Sequence, residues 1–294
     1  MKISSQCGYC LLHRGYKIIE RSTEDEIKRL AAMESLFRLM DEKFNSEAVP
    51  SFIGVERCRI LRQITCCDDP YAELKKESNL KALEILPKME QYIKNQPKHD
   101  RFRAALKVAC LGNVIEFDVP GHSSDIEEAL KGLDEGSYID DSEKLEKLLV
   151  SGTKILYLTD NAGEIAFDKL VVRELKNRGC LTTVAVKGGP GLNDALMEDA
   201  LAVGMLEEAY SVITTGTDAI GINLEETSAE FNENFYSTDI IIAKGMANWE
   251  TLTEVNAPCQ IMYIFRTKCL PVAKTVGAPL NVNIAKLVDK GWKL

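Results

Sequence analysis

The run Lys154-Ile155-Leu156-Tyr157-Leu158-Thr159 and the turn after it, Asp160-Asn161-Ala162-Gly163-Glu164, decide the fold. A short apolar run closed by a polar, glycine-bearing turn reads as a strand. The helical apolar period over 165–178, stopped at Gly179, reads as the helix that follows. The same grammar recurs downstream. Leu181-Thr182-Thr183-Val184-Ala185-Val186 is a second strand, followed by a Gly-rich loop and a helix over 195–203. Residues 211–214, 240–243 and 261–265 repeat the strand signal. Strands alternating with helices predict an α/β fold, a three-layer α/β/α domain over 151–294 with a mainly parallel, Rossmann-like sheet.

Upstream the period is helical. Apolar residues recur at helical spacing over 24–43, 79–93 and 101–111, and shorter helices are expected over 125–133 and 141–150. Pro87 is expected to kink or divide the second of these. No convincing alternating strand precedes Gly152, so residues 1–150 are expected to form an all-helical domain ahead of a metal-binding catalytic one over 151–294.

Composition narrows the function classes. The 294 residues are 45% hydrophobic and 28% charged, with a formal net charge of −9. That balance argues against nucleic acid or an anionic membrane surface as partner. A small phosphorylated ligand stays compatible, because a bound cation reverses the local sign. The first residues, Met1-Lys2-Ile3-Ser4-Ser5-Gln6, lack a signal-peptide core, and no apolar run is long enough to span a bilayer. Nine cysteines without an export signal predict reduced thiols and a cytoplasmic location. Cys7-Gly8-Tyr9-Cys10 has zinc or redox spacing, with Cys66, Cys67 or Cys269 available to complete a site in space and His13 near in sequence. The plainer reading is buried thiols. The oligomeric state is not legible.

In an open parallel sheet, ligands bind beyond the carboxyl ends of the strands. Those ends here carry Asp160-Asn161-Ala162-Gly163-Glu164, then Lys187-Gly188-Gly189-Pro190-Gly191-Leu192-Asn193-Asp194, then Thr215-Gly216-Thr217-Asp218. Lys244-Gly245-Met246-Ala247-Asn248-Trp249-Glu250 and Arg266-Thr267-Lys268-Cys269 follow the last two. Asp160, Asn161 and Asp194 are hard oxygen donors of the kind that Mg²⁺ or Mn²⁺ takes. Lys187, Lys244 and Lys268 are candidate cations for phosphate oxygens, and Glu164, Asp218 and Glu250 are candidate general bases or further ligands. Singly, each has a blander reading. Asp-Asn after a strand is commonly a turn or cap, and Gly-Gly-Pro-Gly a turn, with neither GxxxxGK[ST] nor GxGxxG beside them. Together they point to a small anionic ligand held with a metal.

These segments resemble the signatures of the damage-control phosphatase family, which includes the acidic-residue-methyltransferase-like proteins. Asp69-Pro70-Tyr71, Gly112-Asn113-Val114-Ile115-Glu116-Phe117, and Pro271-Val272-Ala273 also match, and Cys7-x-x-Cys10 is similar to the prokaryotic branch. The resemblance implies a divalent-metal-dependent phosphatase, using Mn, Mg, Co or Ni, that acts on sugar phosphates or damaged phosphometabolites. It assigns the metal to Asp160, Asn161 and Asp194, a phosphate contact to Lys244, and a place over the same cleft to Asn113. Glu116 stands where the family is expected to have Asp, and Met246 and Trp249 where Gln and Tyr are expected.

Glu116, Glu164, Lys187, Asn248 and Lys268 complete the expected substrate-binding set, with Asp194 or Glu250 accepting the proton of the attacking water. A covalent route through Asp160 is disfavoured, since Asp160 is assigned to metal and no Asp-x-Asp supplies a neighbouring acid. A structural zinc or redox site would fall on Cys7, Cys10 and Cys269. Two competing readings are a non-catalytic metal- or metabolite-binding protein and an S-adenosylmethionine-dependent carboxyl methyltransferase. The latter fits poorly, because the second strand ends in Lys187 where an acid is needed.

Overall fold

The computed structural model describes residues 1–112 and 136–294. Among the described residues the sheet has seven strands: β1 (Ile139–Asp140), β2 (Lys154–Leu158), β3 (Leu181–Val186), β4 (Ser211–Thr214), β5 (Ile240–Lys244), β6 (Gln260–Arg266) and β7 (Asn283–Val288). Their spatial order is β1-β7-β6-β5-β2-β3-β4. Strands β2 to β6 are mutually parallel, β7 runs antiparallel to β6, and β1 pairs parallel with β7. From β2 the chain steps to β3 and β4 on one side, then returns to β5 and β6 on the other. The order therefore switches between β2 and β5, and the crevice beyond their carboxyl ends is where such a sheet holds its ligand.

The strands are near-continuous apolar runs because helices cover both faces. The period of two divides β2 cleanly. Ile155 and Tyr157 join one core with Val184, Ile242 and Met262, while Leu156 and Leu158 join the other with Ala185, Ile241 and Tyr263. The first core is closed by α4 (Ala72–Lys94), α5 (Arg101–Gly112) and α7 (Glu164–Asn177). The second is closed by α9 (Ala229–Ser237), α10 (Gly245–Leu252) and α11 (Leu270–Val276), with Trp249 fully buried against Tyr263 and Phe265. Each large apolar side chain covered in this way contributes roughly 1.5–3 kcal/mol.

The first three helices sit on the carboxyl rim. Helices α1 (Ser5–Ser22), α2 (Glu26–Lys43) and α3 (Pro50–Thr65) share a core of Ile18, Ile19, Leu36, Val55 and Leu61, which also takes in Leu192, Ala219 and Ile220 from the loops after β3 and β4. Arg59 and Arg62 of α3 reinforce the contact. Arg59 Nε donates to Asp218 Oδ1 at 2.9 Å, and Arg62 bonds both Asp218 and the Pro190 carbonyl.

Several sequence expectations need amending. Helix α4 runs unbroken through Pro87, because its face of Ala82, Ile85, Leu86, Met89 and Ile93 is held in the core on both sides of the lost N–H. The helix expected over 141–150 is only α6 (Ser142–Glu146), and the two-residue strand β1 precedes it. Strand β1 is too short to show a period. Helix α8 (Met197–Ala202) begins two residues later than its apolar residues suggest, because Asp199 Oδ2 caps the Leu196 N–H at 2.8 Å. The helix expected over 125–133 lies outside the described residues. Among the described residues, no helix is long and apolar enough to cross a membrane.

Candidate active site

Asp160 leaves β2 at the switch point and rests its carboxylate on Gly245, the first residue of α10. A β-carbon at 245 would lie 2.1 Å from Asp160 Cγ, and Gly245 holds φ at +81°, in the region that favours glycine. Asn161 forms an antiparallel bridge with Asp194, and two backbone bonds flank it: Ala162 N to Asn193 O at 2.9 Å and Ala195 N to Asp160 O at 2.8 Å. Residues directly opposite in such a bridge put their side chains on the same side, so Asn161 and Asp194 face one cleft.

The Asn161 amide donates to Asp160 Oδ2 at 3.0 Å and to Glu164 Oε2 at 3.3 Å. Both protons are thereby committed to carboxylates, and the amide oxygen is left as an acceptor. Two carboxylates and one amide oxygen converge, the donor chemistry of a hard divalent ion that keeps several waters or substrate oxygens. The hollow at Gly245 fixes one of them. Among the described residues, no three His, Cys, Asp or Glu side chains gather as a ready metal cage; this set depends on an amide.

Lys187 lies beside this group. Its Nζ donates to the Gly221 carbonyl and stands 3.9 Å from Asp194 Oδ1. Burial lowers the Lys187 pKa, opposed by Asp194 and Asp160. Burial likewise raises that of Asp194, opposed chiefly by Lys187.

Lys244 is placed one layer deeper. Its Nζ bonds Glu164 Oε1, Asp168 Oδ1 at 2.7 Å and the Ala109 carbonyl at 3.1 Å, and the side chain is fully buried. Burial works against its charge, but Asp168 and Glu164 outweigh that and hold its pKa above the ordinary value. Asp168 also accepts from Tyr157 Oη at 2.8 Å, while among the described residues its Oδ2 has no hydrogen-bond partner. Burial, with Glu164 nearby, pushes Asp168 up to about 6 despite Lys244. One lysine thus faces two carboxylates, and the chain Asp160–Asn161–Glu164–Lys244–Asp168 ties the rim to the core.

The remaining predicted residues fall around this centre. Asn248 donates to the Lys244 carbonyl at 2.7 Å and the Thr159 carbonyl at 3.3 Å, bracing the backbone just before Asp160. Glu250 turns toward α3, where Ser51 Oγ donates to its Oε2 at 2.6 Å. Asp218 is taken by Arg59 and Arg62, which outweigh the effect of burial and hold its carboxyl below the usual range. Lys268 is half-buried after β6, with its backbone N–H on Met246 Sδ at 3.4 Å. Burial pushes the Cys269 thiol up to about 12, and Glu250, Cys10 and Cys7 lie near enough to add to that rise. Cys66 and Cys67 lie just beyond α3. Asn113 and Glu116 lie outside the described residues.

Sequence reasoning missed what α4 supplies. Lys75, Ser78 and Asn79 are all buried, on the same stripe as Ala82, Ile85 and Leu86. Asn79 Oδ1 accepts the Gly163 N–H at 2.7 Å and its Nδ2 donates to Asp199 Oδ1 at 2.7 Å, so one side chain joins the loop after β2 to the first turn of α8. Ser78 packs on Gly163, where a β-carbon would come within 2.9 Å of its own. A signal existed in the sequence. Polar residues occupy the first turns of a stripe that is apolar later, at the same i, i+3, i+4 spacing.

The profile of the damage-control phosphatase ARMT1-like domain matches residues 3–284, and the chain belongs to that family. A protein named damage-control phosphatase from Archaeoglobus fulgidus is 34% identical over 294 residues, covering 98% of this chain and all of the relative. Damage-control phosphatase PH1575 of Pyrococcus horikoshii is 37% identical over 281 residues, covering 95% of this chain and 96% of its own. The uncharacterized protein MJ0202 of Methanocaldococcus jannaschii is 37% identical over 291 residues, 97% and 95% of the two chains. The crystal structure of PH1575, described as a DUF89 family protein, superposes with a TM-score of 0.88 at 33% identity, over 99% of both chains.

Proposed function

We propose that this chain is a divalent-metal-dependent phosphatase of small phosphorylated metabolites, working at Asp160, Asn161 and Asp194. Family membership and the names of two full-length relatives support a phosphatase. The observation that carries the site is the Asn161–Asp194 bridge beside the Gly245 hollow, which aims two carboxylates and one amide oxygen into the cleft at the switch point.

A divalent ion there would supply positive charge for the phosphoryl oxygens and ease deprotonation of the attacking water. The chain's own residues do the rest. Asp194 is the better-placed proton acceptor, since Glu250 is engaged by Ser51 away from this group. Lys187 adds a cation beside Asp194. The Glu164–Lys244–Asp168 cluster fixes the Asn161 amide, and its role is orientation of the first donors rather than contact with phosphate. Chemistry of this kind asks the protein chiefly for positioning and charge.

The test is phosphate release from an aryl phosphate and a panel of sugar phosphates. Metal-stripped protein is resupplied in turn with Mn²⁺, Mg²⁺, Co²⁺ or Ni²⁺, with Asp160→Ala alongside. Turnover restored by metal in the wild type and absent from the variant is the expected result. Turnover that ignores metal, or survives in Asp160→Ala, would overturn the reading.

A further inference from the structure

Among the described residues, Lys75 is a buried cation with an ion pair but no hydrogen bond. Its side chain is 1% exposed, and its Nζ lies 2.8 Å from Asp69 Oδ2 at an angle that makes an ion pair but no hydrogen bond. A desolvated ammonium in that state is costly unless something else receives its protons. Lys187 and Lys244 differ, since each donates to oxygens of the protein.

The neighbours of Lys75 fix where it stands. One turn earlier, Tyr71 shares a core with Leu192, two residues before Asp194. One turn later, Ser78 and Asn79 contact Gly163, in the loop that begins with Asp160. Lys75 therefore stands, on one helical stripe, between the residues of α4 that touch the two loops carrying the proposed metal donors. Its charge reaches Asp194, where it works against the effect of burial.

We propose that Lys75, delivered by α4 across the gap between the Asp160 and Asp194 loops, binds the phosphoryl group of the substrate and the phosphate released from it. This assignment rests on the phosphatase reading for its substrate. It does not rest on it for the anion. Asp69 holds the ammonium in readiness, and a phosphate oxygen supplies the charge-assisted hydrogen bonds that Asp69 does not.

The experiment measures inorganic phosphate as a competitive product inhibitor, and by calorimetry, on the Mn²⁺-loaded full chain. Lys75→Met is expected to raise the inhibition constant and KM at least tenfold with a smaller change in kcat, and Lys75→Arg to recover part of the loss. Asp69→Asn, which frees the ammonium, is expected to shift the inhibition constant the other way, by a few fold, and only while Lys75 is present. Cooperative thermal unfolding verifies folding of each variant, and if Lys75→Met does not fold, the Lys75→Arg and Asp69→Asn arms decide. An unchanged phosphate affinity in a folded Lys75 variant, or no lysine-dependent gain in Asp69→Asn, would overturn the proposal. If the wild type turns over no phosphoester, the phosphatase reading fails, while the calorimetric arm still decides the role of Lys75.

Discussion

The carboxylate of Asp160 occupies the space that a side chain at Gly245 would need, with Asp160 Cγ 2.1 Å from where a β-carbon would sit. The carboxylate proposed to hold metal at the end of β2 is thus seated in a hollow at the start of α10, just beyond the neighbouring strand β5. Only the switch in strand order makes β2 and β5 neighbours there.

Gly245→Ala tests that hollow. The methyl group has no room, and φ of +81° adds about 1–2 kcal/mol of strain for any side chain. Asp160 must move to accommodate it. The expected outcome is a fall in turnover of about 100-fold, the scale seen when a catalytic group shifts by about 1 Å, with a matching loss of Mn²⁺ affinity. Steady-state kinetics and calorimetry read both.

Lys244→Met removes the cation from a cluster that keeps both Glu164 and Asp168. Stranding buried carboxylates costs about 3–5 kcal/mol, so urea unfolding is expected to shift strongly. Loss of activity in this variant then reports folding and the orientation of Asn161, and a fully stable Lys244→Met would contradict that role.

Asp168 gives stability a pH slope. Its folded-state pKa of about 6 lies above the ordinary 3.8, because burial disfavours the charged form. The contribution of this group is therefore fully present below about pH 4 and is lost as pH rises through 6. Relative to Asp168→Asn, the wild type is expected to lose roughly 1 kcal/mol or more between pH 5 and 7.5, since a tenfold change in proton affinity corresponds to about 1.4 kcal/mol. Urea midpoints at the two pH values check the sign.

Much of this was legible in the chain. The apolar run of β2 and the turn from Asp160 to Glu164 are local signals, and they place the site because a parallel sheet has one ligand-binding rim. What was not legible depends on partners distant in sequence. Lys244 reads as a rim lysine from its place at a strand end, yet its three acceptors come from residues 109, 164 and 168. Asp218 reads as a free acid, and its arginines lie on α3, some 160 residues away. Strand β7 was missed because Lys286 interrupts its apolar run, and it was recruited by antiparallel pairing with β6.

Asn79→Ala probes the reach of α4. It leaves the buried Gly163 N–H without its acceptor and Asp199 Oδ1 without its donor, while Asp199 Oδ2 keeps the Leu196 N–H. An orphaned buried group costs about 1–3 kcal/mol. The expected outcome is destabilisation of that size with a lower kcat, because the Asp160 loop loses its brace. Denaturant unfolding beside steady-state kinetics separates the two.

The most direct measurement is a calorimetric titration of metal-stripped protein with Mn²⁺, on the wild type, Asp160→Ala and Asp194→Ala. The expected result is a divalent site in the wild type that is weakened at least tenfold in each variant, while Asp218→Asn, at the Arg59 and Arg62 clamp, binds as the wild type does. Equal Mn²⁺ affinity in all of the proteins, or no binding to the wild type, would contradict the assignment of Asp160, Asn161 and Asp194 as the metal site.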